Sequence, residues 1–256
     1  MSGPERRAQY LQAIGIDLWL PRAAVMGAAA PLKAPSGAPQ VPEPAPAVQV
    51  PAPPDLGAEA RDWEQLRAQV LTCTRCALHE SRTQAVFGVG NPRAAWMVIG
   101  EAPGAEEDRR GEPFVGRAGQ LLDAMLRAIG LSRATNVFIA NILKCRPPGN
   151  RDPRPEEAAA CLSYLHRQIA FVRPRVLLAV GRIAAQNLLA TDAPLGRLRG
   201  RVHHFGERNV PLVVTYHPAY LLRSPADKRK AWEDLQFARS VFAQTLNAEP
   251  NDGHRP

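Results

Sequence analysis

The sequence has no stretch approaching the ~20 uninterrupted apolar residues of a membrane span, and its opening, MSGPERRAQY, lacks the apolar core of a secretory signal. A membrane-inserted or exported protein is not expected; a cytoplasmic one is. Cysteine is scarce, with four residues: Cys73, Cys76, Cys145 and Cys161. In a reducing compartment such thiols are poor disulfide partners and better metal ligands. Acidic residues are outnumbered, 24 Asp and Glu against 32 Lys and Arg, for a formal charge of +8. That excess would attract an acidic polymer, but it is carried mainly by arginine scattered along the chain. Charge by itself is as compatible with solubility as with nucleic-acid binding.

What is present divides the chain unevenly. Within residues 1–27, Tyr10, Leu11, Ile14, Leu18 and Trp19 recur at helical spacing, a short amphipathic segment suited to docking on a protein partner. Residues 28–59 form an Ala/Pro/Val tract with nine prolines from Pro31 to Pro54, read as a disordered linker because it lacks ladder donors and core side chains. Residues 60–247 hold the folded domain, expected to act as a monomer, and 248–256 a disordered tail. In that domain, apolar runs at Ala94–Ile99, Val137–Ile142, Val176–Val180 and Val210–Thr215 show no polar alternation, as strands buried on both faces do. Helical patterns lie between them at 61–72, 118–129, 155–171 and 182–190, with another at 228–246. The alternation predicts a three-layer α/β/α sandwich around a mainly parallel four-stranded sheet.

Ligands of such sheets bind beyond the carboxyl ends of the strands. The first run leads into GEAPG (100–104), the second carries Asn141 and leads into KCRPPGNR (144–151), the third ends at Gly181 and the fourth leads into YHPAY (216–220). A carboxylate, an amide, an imidazole and pliable glycine backbone should therefore share one edge. The cysteines follow Cys-x2-Cys, a gap of 68 residues, then Cys-x15-Cys. Four thiols without a histidine at ligand spacing suit zinc or a four-iron four-sulfur cluster, and spacing alone does not choose.

Taken together, GEAPGAEED (100–108), GEPFVGRAGQLLD (111–123), NILKCRPPGNRDP (141–153) and YHPAYLLR (216–223) resemble the motifs of the family 4 uracil-DNA glycosylases, and the cysteines match that family's cluster ligands in order and spacing. The resemblance covers residues 60 to about 247. It implies a four-iron four-sulfur (4Fe-4S) cluster on Cys73, Cys76, Cys145 and Cys161, uracil-containing DNA as substrate, and hydrolysis of the N-glycosidic bond to leave an abasic site. It further implies His217 as the donor to the uracil oxygen that gains charge, with Glu101 and Asn150 near the attacking water. Asn141 would read the base edge, Phe114 would stack on the extruded ring, and Gly100 to Gly104 would let the backbone approach it. Leu221 or Leu222 would wedge the duplex, while Arg223 and the basic run Lys228 to Lys230 meet phosphates. Such an enzyme would work at the nucleoid.

Three other readings are weaker. A nucleic-acid-binding module has no use for Glu101, Asn141 and His217 together. A zinc base deaminase would carry H-x-E and P-C-x-x-C signatures, which are absent. The related group that traps uracil-DNA through a histidine in an Arg-rich insertion is disfavoured because Asn150 leads straight into Arg151, Asp152 and Pro153.

Overall fold

The four apolar runs pair side by side, and short flanking segments extend the sheet they make. In the computed structural model, which describes residues 62–247, the strands are β1 (Val89–Gly90), β2 (Trp96–Gly100), β3 (Val137–Asn141), β4 (Val176–Val180), β5 (His203–Phe205) and β6 (Val210–Thr215). Their order is β1-β3-β2-β4-β6-β5. The inner four are parallel, whereas β1 runs antiparallel to β3 and β5 antiparallel to β6. The expected four-stranded sheet is thus corrected to a mixed six-stranded one. Its edge strands are only two and three residues long and partly exposed, too short for apolar periodicity to betray them, but enough to cover the open edges of the parallel core. The segments 1–27 and 28–59 and the tail 248–256 lie outside the described residues.

Every residue of β2, β3 and β4 is buried, and the two-residue period of a strand sends alternate side chains to opposite faces. Met97 and Ile99 join one core with Phe138, Leu177 and Leu212; Trp96 and Val98 join the other with Ile139, Leu178 and Val213. The first core is closed by α1 (Trp63–Leu71), α5 (Pro155–Val172) and α6 (Arg182–Leu189), through Leu66, Leu165 and Leu188. The second is closed by α4 (Arg117–Ala128) and α9 (Lys228–Asn247), through Leu122 and Leu235. Shorter helices, α2 (Leu78–Ser81), α3 (Ala105–Arg110), α7 (Leu195–Leu198) and α8 (Pro218–Arg223), fill the connections.

Local signals explain where the long helices begin. Asp62 caps α1 by accepting the Gln65 N–H at 2.8 Å. Pro155 opens α5, where its missing N–H costs nothing, and Glu157 reaches back to the Arg154 N–H at 2.9 Å. The register pairs Gly100 with Asn141 and Val180 with Thr215, so the carboxyl ends of the parallel strands open onto one edge.

Candidate active site and thiol cage

A cleft of about 430 Å³ opens at that edge, lined by Glu101, Phe114, Asn141, Asn150, His217 and Arg223 among others. The strand-end loops therefore bring the expected acid, amide and imidazole together. Asn141 is only 2 % exposed, and its Oδ1 has no hydrogen-bond partner. A buried acceptor left unmatched costs about 1–3 kcal/mol, so it points to a ligand that donates to it. Neighbouring Gly100 leaves the space that Asn141 and Phe114 fill: a Cβ there would stand 2.5 Å from Asn141 Oδ1 and 2.6 Å from Phe114 Cζ.

Phe114 holds a left-handed backbone, φ 54°, unusual for an aromatic residue. Arg133 keeps it there, donating to the Phe114 carbonyl at 2.8 Å and the Pro113 carbonyl at 3.1 Å while its Nε engages Asp123 at 2.8 Å. Gly119 makes room for the same carbonyl. The Phe114 ring lies 5.6 Å from the His217 ring, tilted by 32°.

His217 precedes α8, and its Nδ1 accepts the Ala219 N–H at 3.1 Å. That bond assigns the proton of the neutral ring to Nε2. Burial, reinforced by Arg223 and opposed by Glu107, pushes its pKa down to about 4, so the imidazole is neutral near pH 7. Gly181, at φ +102°, passes so close that a Cβ would stand 2.9 Å from His217 Cβ. Glu101 moves the other way: burial and then Asp152, opposed by Arg182, raise its pKa to about 7. Asp152 and Arg182 are themselves paired at 2.7 Å. Asn150 is exposed at the cleft mouth in a left-handed conformation, φ 54°, with its Oδ1 accepting from Arg146 Nε at 2.8 Å.

Sequence reasoning missed Glu107, which joins two walls of the cleft. Its carboxylate accepts the Gly104 N–H at 3.1 Å on one oxygen and the Val115 and Gly116 N–H groups at 2.9 and 3.1 Å on the other. The only available signal was its place three residues after Gly104, where a helix-start carboxylate reaches back.

Cys73, Cys76, Cys145 and Cys161 line one second cavity, with Arg75, His79, Lys144 and Tyr164 around them. Donors reach the sulfurs: Arg82 Nη1 to Cys145 Sγ at 3.0 Å and the Lys144 N–H to Cys161 Sγ at 3.2 Å. Burial pushes the Cys161 thiol up to about 12, and those of Cys76 and Cys145 above the ordinary value.

The family model described as the uracil DNA glycosylase superfamily matches residues 87–236, a span that includes Glu101, Asn141 and His217. The chain belongs to that superfamily. It is 46 % identical over 174 residues to the type-4 uracil-DNA glycosylase of Archaeoglobus fulgidus, covering 66 % of this chain and 87 % of the relative. It is 41 % identical over 183 residues to the type-4 enzyme of Thermotoga maritima, covering 70 % and 94 %. The type-5 uracil-DNA glycosylase of Thermus thermophilus is 37 % identical over 176 residues, covering 63 % and 77 %. Within the uracil DNA glycosylase superfamily the chain sits with the type-4 members.

One expectation drawn from the glycosylase motifs needs correction. Leu221, offered as a wedge into DNA, is 1 % exposed, because it lies on the buried side of α8 and joins the core that holds Leu122 and Leu235. Leu222 faces outward, 41 % exposed, beside Arg223 at the cleft. In the basic run, Lys230 pairs with Asp227 at 2.8 Å and Arg229 with Glu233 at 3.1 Å. No helix among the described residues is long and apolar enough to cross a membrane.

Proposed function

We propose that this chain excises uracil from DNA by flipping the nucleotide into the cleft and hydrolysing its N-glycosidic bond, leaving an abasic site for base excision repair. The unmatched Asn141 Oδ1, in one cleft with Phe114 and a neutral His217, carries the reading. Uracil offers an N3–H to that oxygen and an O4 to the amide NH2, whereas cytosine presents the reverse pattern. Phe114 supplies the stacking face. Extrusion costs a few kcal/mol, and Leu222, exposed beside the cleft, is the side chain suited to wedge the gap while Arg223 meets phosphate.

Bond cleavage leaves negative charge on the departing base and an oxocarbenium-like sugar. His217 donates its Nε2–H to the uracil oxygen where charge grows, and a neutral donor in a dry site stabilises that charge without first giving up a proton. Glu101, ionised above about pH 7, orients and deprotonates the attacking water beneath the sugar. Asn150 lines the same cleft; with its Oδ1 engaged by Arg146, its NH2 is the half left to meet the water.

The thiol cage is read as the holder of a 4Fe-4S cluster. Four cysteines lining one cavity supply the four thiolates that such a cluster takes, and the likeness to the type-4 enzymes favours the cluster over zinc. Donors aimed at the Cys145 and Cys161 sulfurs suit electron-rich thiolates. Bound there, the cluster would supply iron–thiolate bonds that pin the loop after β3 and helix α5 to the turn after α1.

Incubating purified protein with an oligonucleotide bearing one uracil, followed by alkali, is expected to break the strand at that position. An intact strand that nevertheless shifts on a native gel would reduce the chain to a DNA-binding module.

A further inference from the structure

Lys144 is 1 % exposed, and no step above uses it. A buried ammonium is costly unless each of its bonds is made well, and an apolar side chain of similar length is often the more stabilising choice. Its bonds are specific. Nζ donates to the Asn141 backbone carbonyl at 2.8 Å and to Gln168 Oε1 at 2.6 Å. Gln168, itself fully buried, is oriented by donating its own NH2 to the Phe87 carbonyl at 2.8 Å. The Lys144 backbone N–H meets Cys161 Sγ at 3.2 Å, and its carbonyl accepts the Val86 N–H at 2.7 Å.

The consequence lies in one peptide plane. The unit joining Asn141 to Ile142 is gripped at both ends: its carbonyl by Lys144 Nζ and its N–H by the Gly100 carbonyl at 2.9 Å. A peptide plane held from both sides has its rotation about the Asn141 Cα fixed, and with it the direction in which that residue's side chain leaves the backbone. Past the end of β3 the Ile142 and Leu143 N–H groups still bond to the Gly100 and Glu101 carbonyls, at 2.9 and 3.0 Å, and the Asn141 carbonyl is the group of this peptide that Lys144 Nζ takes up.

We infer that Lys144 is a positioning residue that couples the thiol cage to base recognition, its side chain fixing the Asn141 peptide while its backbone is bonded to a cage sulfur. This rests on the reading of Asn141 as the base-reading residue. Removal of the ammonium should loosen uracil binding without touching the DNA-backbone contacts.

The test compares Lys144→Met with the parent, both purified with full iron, for inhibition by free uracil and affinity for abasic-site DNA. Lys144→Met is expected to raise the inhibition constant for uracil about tenfold, a shift of about 1.4 kcal/mol, while abasic-DNA affinity and iron per chain stay within about twofold. A general loosening of the fold would weaken both affinities together and overturns the assignment. Unchanged uracil affinity in the iron-replete variant overturns it as well. Should Lys144→Met fail to fold, Gln168→Leu decides: it withdraws the second acceptor of the ammonium and is expected to raise the uracil constant about threefold. The parent is assayed first on uracil-containing DNA. A parent that excises nothing sinks the reading of the cleft, a result distinct from an active parent whose Lys144→Met variant binds uracil normally.

Discussion

Glu101 and His217 are both half-buried at one edge of the sheet, and burial moves their proton affinities in opposite directions because it disfavours whichever form is charged. For the carboxylic acid the pKa rises to about 7; for the imidazole it falls to about 4. Turnover that needs the carboxylate should therefore climb with pH and level off above about 7, with no inflection near 6.5 from the histidine. Single-turnover rates from pH 5 to 9 check this, and Glu101→Gln should abolish the rise while slowing the reaction about a hundredfold or more. Asp152→Asn removes a neighbouring charge that raises the Glu101 pKa, so the inflection should move to lower pH; an unmoved inflection would detach it from Glu101. His217→Ala is expected to lose about two orders of magnitude in rate while DNA affinity holds, measured by single-turnover kinetics and a binding isotherm.

At the scale of elements, the cleft is made by loops whose backbones depart from regular structure where side chains must meet. β4 ends at Gly181, whose left-handed φ of +102° and close approach to His217 Cβ leave no room for a methyl group. Gly181→Ala is expected to destabilise the fold by about 1–3 kcal/mol and to slow excision by displacing the imidazole; a thermal melt with a parallel activity assay reads both. A variant with parental melting temperature and rate would show that the α6 start yields freely. Phe114 depends on the same kind of support, with Arg133 arriving from the loop before β3 to hold two carbonyls. The apolar runs announced β2, β3, β4 and β6 within a residue or two, since strands buried on both faces leave nothing polar to confuse the pattern. β1 and β5 were not legible, because two- and three-residue edge strands are created by the neighbour they pair with.

For the whole molecule, the thiol cage joins segments far apart in the chain: the turn after α1, the loop after β3 and the start of α5. Purified protein is expected to be brown with broad visible absorption. Cys145→Ala should lose that colour and lower the melting temperature, because unpinned loops regain conformational freedom in the absence of the centre. Colourless parent protein holding one zinc per chain would overturn the cluster.

From the sequence, strand-end position brought Glu101, Asn141 and His217 to one edge and spacing marked the four cysteines as two pairs, while the resemblance to the family 4 motifs supplied their roles. Tertiary structure alone decided which side chains stand behind them. Arg133 reaches Phe114 across 19 residues, Gln168 meets Lys144 across 24 and Phe87 across 81, and Leu221 and Leu222 part company according to which side of α8 meets the core. Such partners are chosen by proximity after folding, and a linear pattern with a period of two or 3.6 residues carries no record of it.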